Sequence, residues 1–183
     1  MIYHFSLQTV GFVVGVVLFL IGLPGLFQPR TVQNLARRLP RSLLVGVVLW
    51  TIDLIWGFWL LSTMEMGEFA TFRRFLLIAL PIGYLLVLRF LEEFLAVRAL
   101  GILCLLAAEP LLDAAFFRNE ASRLAVTVIA YLLVIAGLFW VTMPYLLRDQ
   151  INWSAGTDRR WRFLHGAVVA CGALIIALAI TKY

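Results

Sequence analysis

Lysine is almost missing from this 183-residue chain: one, Lys182, stands beside fourteen arginines. A lysine Schiff base within an apolar core is thereby excluded. Histidine is nearly as scarce, with His4 and His165 alone. Placed at opposite ends of the hydrophobic pattern, they cannot share one haem iron. The two cysteines, Cys104 and Cys171, have no zinc-ligand spacing and read as buried apolar thiols. No phosphate-binding glycine loop, Gly-x-Ser-x-Gly, His-Glu-x-x-His or dinucleotide fingerprint occurs. The expectation is therefore no cofactor and no metal, and an enzyme is disfavoured.

Charge is scarce overall. Charged residues are 14% of the chain, hydrophobic residues 63%, and mean hydropathy is +1.00. In water such a chain would expose large apolar patches and aggregate. In a bilayer the same surface is solvated by lipid. The fold class expected is all-α: a polytopic transmembrane helix bundle, read as one integral membrane domain over 1–183. Six spans are predicted at about 6–27, 42–61, 73–90, 95–116, 122–147 and 163–180, each near the length that crosses a bilayer. The run after MIYHFSLQTV has no positive residue before it and no small-residue cleavage site, so the first helix is expected to be retained. Ser122 is the expected N-cap of the fifth span. Pro81 within the third implies a kink.

Between Pro29 and Pro40, Val32, Leu35, Ala36 and Leu39 fall on one helical stripe, opposite Arg30, Gln33, Asn34, Arg37 and Arg38. That pattern predicts a short amphipathic helix in the headgroup layer. The cationic loops point the same way as the spans. Arg30, Arg37, Arg38, Arg41, Arg89, Arg98, Arg148, Arg159, Arg160 and Arg162 belong to the odd-numbered loops, whereas Arg73, Arg74, Arg118, Arg123 and Lys182 lie on the other side. The positive-inside rule then predicts a cell-membrane protein with the arginine-rich loops in the cytoplasm and both termini outside. Trp153 and Trp161 fit the inner interface, Trp56 and Trp59 the outer. The basic balance is a topology signal, so no nucleic-acid partner is expected. The Asn152-Trp153-Ser154 sequon falls on the cytoplasmic side, where it would not be glycosylated.

Small residues allow helix backbones to approach where lipid removes the hydrophobic drive. Gly11, Gly15 and Gly22 mark such a face on the first span, Gly46 and Gly57 on the second. On the sixth, Gly166, Ala170, Ala173 and Ala177 form another. Pro24/Pro144, Leu26/Leu146, Phe19/Phe139 and Gly46/Gly166 match at an offset of 120 and would make a parallel repeat, although such matches arise easily in a chain of this composition.

Asp53 is the most informative polar residue. Counted from Ser42 it lies ~16 Å into the bilayer, near the midplane. A carboxylate there must face protein or water. Gly46, Trp50, Asp53 and Gly57 share one face. It is read either as a neutral, hydrogen-bonded carboxyl that locks helices, with Tyr84 or Tyr131 as donor, or as an ion, proton or substrate site. Glu109 and Asp113, four apart on the fourth span, are further candidates, or else an outer-interface pair neutralised by Arg118 or Arg123. By the same counting Glu109 stands only a few Å further out than Asp53. Three functions follow, in order: a non-catalytic accessory subunit or scaffold, packed against lipid and other membrane subunits or itself; a small transporter or channel using Asp53 and Glu109; and a membrane enzyme on a lipid-like substrate.

Overall fold

The computed structural model describes residues 5–90, 93–116 and 123–181. Those residues form helices and short connections, with no strand among them. Six helices are long and apolar enough to cross a membrane. They are α1 (Leu7–Phe27), α3 (Leu43–Thr63), α4 (Arg73–Phe90, preceded by a 3-10 segment, Gly67–Phe72), α5 (Leu95–Ala115), α6 (Arg123–Thr142) and α8 (Asp158–Thr181). Two ten-residue helices, α2 (Pro29–Arg38) and α7 (Tyr145–Ser154), connect them. His4, Arg118, Ser122 and Lys182, together with the cap and charge roles expected of them, lie outside the described residues.

Local chemistry sets the boundaries. Ser6 accepts a hydrogen bond from the Thr9 amide and Ser42 one from the Val45 amide, so each caps the first turn of its helix. Pro24, Pro81 and Pro110 sit inside helices. Pro144 acts differently. The fifth span, expected to run 122–147, ends at Thr142, and a separate helix starts at Tyr145. Proline has no amide to continue the ladder, and the next turn carries Arg148, Asp149 and Gln150, which are costly in an apolar layer. The last span begins at Asp158, five residues before the expected 163.

Helix–short helix–helix thus occurs twice, as α1–α2–α3 and α6–α7–α8. Because α2 starts at 29 and α7 at 145, the offset is 116, which puts the residue matches at 120 out of register.

Packing is uneven. α1 and α8 form a close antiparallel pair, and so do α5 and α6. α3 lies parallel to α5, while α4 rests on α3 and hardly touches α5. Leu7 and Val10 of α1 meet Leu111, Ala114 and Ala115 of α5 and Val126 and Ala130 of α6 in a buried cluster at one end. At the other end Gln33 donates to Asp158 (3.0 Å) and Arg37 to the Ala155 carbonyl (2.8 Å), joining α2 to the α7–α8 corner. The expected faces of α2 hold with two exceptions. Val32, Ala36 and Leu39 are half-buried and Arg30, Asn34, Arg37 and Arg38 exposed, but Leu35 is 68% exposed and Gln33 is buried, where its amide finds the Asp158 carboxylate.

The small-residue faces are partly as expected. A Cβ on Gly15 would stand 2.7 Å from Ile176 Cγ1, one on Gly22 2.5 Å from Val169 Cγ2, and one on Gly46 2.8 Å from the Ala96 amide nitrogen. Gly11 is buried. Gly57 and Gly166 are not contact points: the nearest atom to a Cβ there is 3.9 Å away. Nor is the expected α8 stripe the packed one. Ala170, Ala173 and Ala177 are exposed, and Gly172, Ile175 and Ala179 are buried against the bundle.

Candidate functional site

Asp53 occupies the middle of α3, seven residues beyond the tight contact between Gly46 and α5. Its side chain is 6% exposed, and both carboxylate oxygens are buried with no hydrogen-bond partner. The indole nitrogen of Trp50, one turn earlier, is likewise buried and unpaired. Buried polar atoms are ordinarily satisfied, so two such groups together call for an explanation in terms of what the site holds.

The tyrosines expected as donors do not reach the carboxylate. Tyr84 lines the same cavity, but its hydroxyl lies 2.9 Å from Thr51 Oγ1. Thr51 spends its own proton on the Val47 carbonyl (2.7 Å), so Tyr84 is the donor to Thr51 and has no second proton to give. Tyr131 is 57% exposed on α6 and lines a different groove, with Leu124 and Thr127.

Asp53 opens onto a cavity of about 440 Å³ between α3, α4 and α5. The space exists because α4 presents Ala79 and Gly83 toward it and packs on α3 alone; a Cβ on Gly83 would meet nothing within 4 Å. α5 closes the other wall with Ile102 and Leu106. Sequence reading placed Asp53, Trp50 and Gly57 on one face but missed the α4 wall. The Ala79-x-x-x-Gly83 pair was the available signal, since small residues four apart leave a notch.

Glu109 and Asp113 do not join this site. They line a second groove, of about 630 Å³, with Leu105, Ala108, Leu112, Phe116 and Val134 of α5 and α6. With Gly46 opposite Ala96, Asp53 is seven residues along and Glu109 thirteen, which puts Glu109 about 9 Å further out. The smaller separation expected from helix starts ignored the stagger of the two helices. Glu109 is exposed and Asp113 half-buried. Among the described residues no three His, Cys, Asp or Glu side chains gather as metal ligands.

No family model, curated protein or solved structure matches this chain.

Proposed function

We propose that this protein is a small membrane transporter in which Asp53 is the cation- or proton-binding group. One observation carries the reading: a carboxyl near the midplane of an apolar helix stands in the wall of a cavity with both oxygens buried and unpaired. A carboxyl kept to lock helices together would be hydrogen-bonded across the interface, because an unsatisfied one weakens the packing it serves. An intramembrane acid without a structural partner is a functional candidate by default. In this reading α2 lies in the headgroup layer, the six long helices all span, the arginine-rich end faces the cytoplasm of a cell membrane and both termini lie outside. Pyranine-loaded proteoliposomes under an imposed potential test it. Luminal pH should change with the wild-type protein and stay flat with Asp53→Asn, at unchanged melting temperature. Equal traces from the two proteins, together with equal uptake of an organic monocation, would remove the reading.

The accessory-subunit reading is the alternative. It draws support from the exposed Ala170, Ala173 and Ala177 row and from α4, which buries no residue in the bundle. Native mass spectrometry from mild detergent should then find a bound subunit or a second copy that Ala173→Trp releases. A monomer in both proteins would count against it. The enzyme reading is the weakest, since Glu109 and Asp113 have no His, Ser, Cys, Lys or Tyr beside them among the residues lining the groove.

A further inference from the structure

We propose that the ligand of the Asp53 cavity is a lipophilic monocation, an ammonium or phosphonium on an apolar body. This rests on Asp53 being the binding group of a transporter, and it adds the class of ligand. Sodium, potassium, magnesium and calcium leave water only for a shell of several oxygens. Around Asp53 the cavity offers one carboxylate, while the nearby hydroxyls of Thr51 and Tyr84 are bonded to each other. A bare proton needs no cavity of about 440 Å³, a volume that falls within the range of small-molecule pockets.

A lipophilic cation meets each feature in turn. Its single positive charge neutralises the unpaired carboxylate, and its charge is spread over bulk that is weakly hydrated. Its body replaces lipid or empty space along Leu54, Leu80, Val87, Ile102 and Leu106. Trp50, also in the wall, puts an aromatic side chain beside the same charge. An anion would be repelled by Asp53, and a neutral hydrocarbon would leave the carboxylate unpaired. Contact with the carboxylate needs only a small local shift that uncovers the Asp53 oxygens. α4 rests on α3 and barely meets α5, so the cavity lies beside a lateral gap at membrane depth, where a lipophilic cation partitions.

The test uses tetraphenylphosphonium and its anionic twin tetraphenylborate, which share shape and differ in charge. Each is equilibrated with the full-length protein in phosphatidylcholine nanodiscs, with empty nanodiscs as the partition blank. Tetraphenylphosphonium should show one saturable site per chain, weakened at least tenfold in Asp53→Asn. Tetraphenylborate should show partition alone. Gly83→Leu fills the cavity from α4 at a position with open space, so it should also abolish binding with the carboxylate intact. Undiminished binding to Asp53→Asn, or equal binding of the borate, would overturn the proposal. Asp53-dependent proton flux without phosphonium binding would reject this ligand class and leave the transporter reading standing. Asp53-dependent binding without flux would do the reverse.

Discussion

A methyl group on Gly137 would stand 2.7 Å from the Gly101 carbonyl oxygen, and one on Gly101 2.9 Å from the Gly137 carbonyl oxygen. The α5–α6 pair is therefore a backbone-to-backbone contact with no room for a side chain. Gly25 is as confined, because a Cβ there would run into the His165 ring. That ring is held by its own bond to the Trp161 carbonyl (3.0 Å) and by stacking on the Trp161 indole. We expect Gly137→Leu to destabilise the bundle by ~1–3 kcal/mol or more, whereas Gly57→Ala and Gly166→Ala should be nearly neutral. Thermal melts in detergent check the order, and equal losses at 137 and 166 would contradict it. Sequence spacing had placed Gly57 and Gly166 among the contacts and passed over Gly25, Gly101, Gly137 and Gly172. The reason is physical. Spacing shows which residues of one helix share a face, but not which atoms of another helix come opposite. Asp53 was legible for a related reason: its cost is set by depth, which a single helix reports, whereas the partners it lacks depend on three helices at once.

At the scale of elements, the short helices behave as ties. α2 crosses from α1 to α3 and bonds through Gln33 and Arg37 to the corner between α7 and α8. Arg37 gives its proton to the carbonyl of Ala155, which follows the last residue of α7 and has no helical partner there. Arg37→Ala is expected to cost ~1 kcal/mol through that bond, while the neighbouring, exposed Arg38→Ala should cost little. Comparing the two melts separates a tie from a bare surface charge, and indistinguishable losses would argue against the tie. The amphipathic pattern of α2 was readable in the sequence, as was its length. That Gln33 meets protein while Leu35 does not was hidden, because the pattern marks two faces without saying what lies against each residue. α6 shows the converse limit. Hydropathy stays high through Pro144, so the break becomes visible only when the missing amide is weighed with the charges that follow.

Across the whole molecule, ten of the thirteen described arginines collect at one end, and Arg73, Arg74 and Arg123 lie at the other. Gln33 and Arg37 bring α2 to the start of α8. Gly46 packs on Ala96, so the start of α5 and Arg98 join that end. Arg148 of α7 sits over the Phe94 ring at 6.0 Å, just before α5. α4 runs antiparallel to α3, with Leu80 beside Gly57 and Tyr84 bonded to Thr51, so its last turn and Arg89 point the same way. Arg160 stacks over the Trp153 ring at 5.4 Å at this end too. Loops that the sequence related only by counting spans are thus in physical contact, and they must share one side of any membrane the bundle crosses. Which side is an electrostatic matter: positive loops are retained in the cytoplasm during insertion. The proposed orientation is checked by single cysteines placed at exposed positions in a background lacking Cys104 and Cys171. Asn34→Cys in α2 and Asn152→Cys in α7 should react with an impermeant maleimide only after cells are opened. Glu68→Cys, in the connection between α3 and α4 at the opposite end, should react in intact cells. Labelling of positions 34 and 152 from outside would invert the orientation. Labelling of one but not the other would contradict the packing of α2 on the α7–α8 corner, and with it the bundle described above.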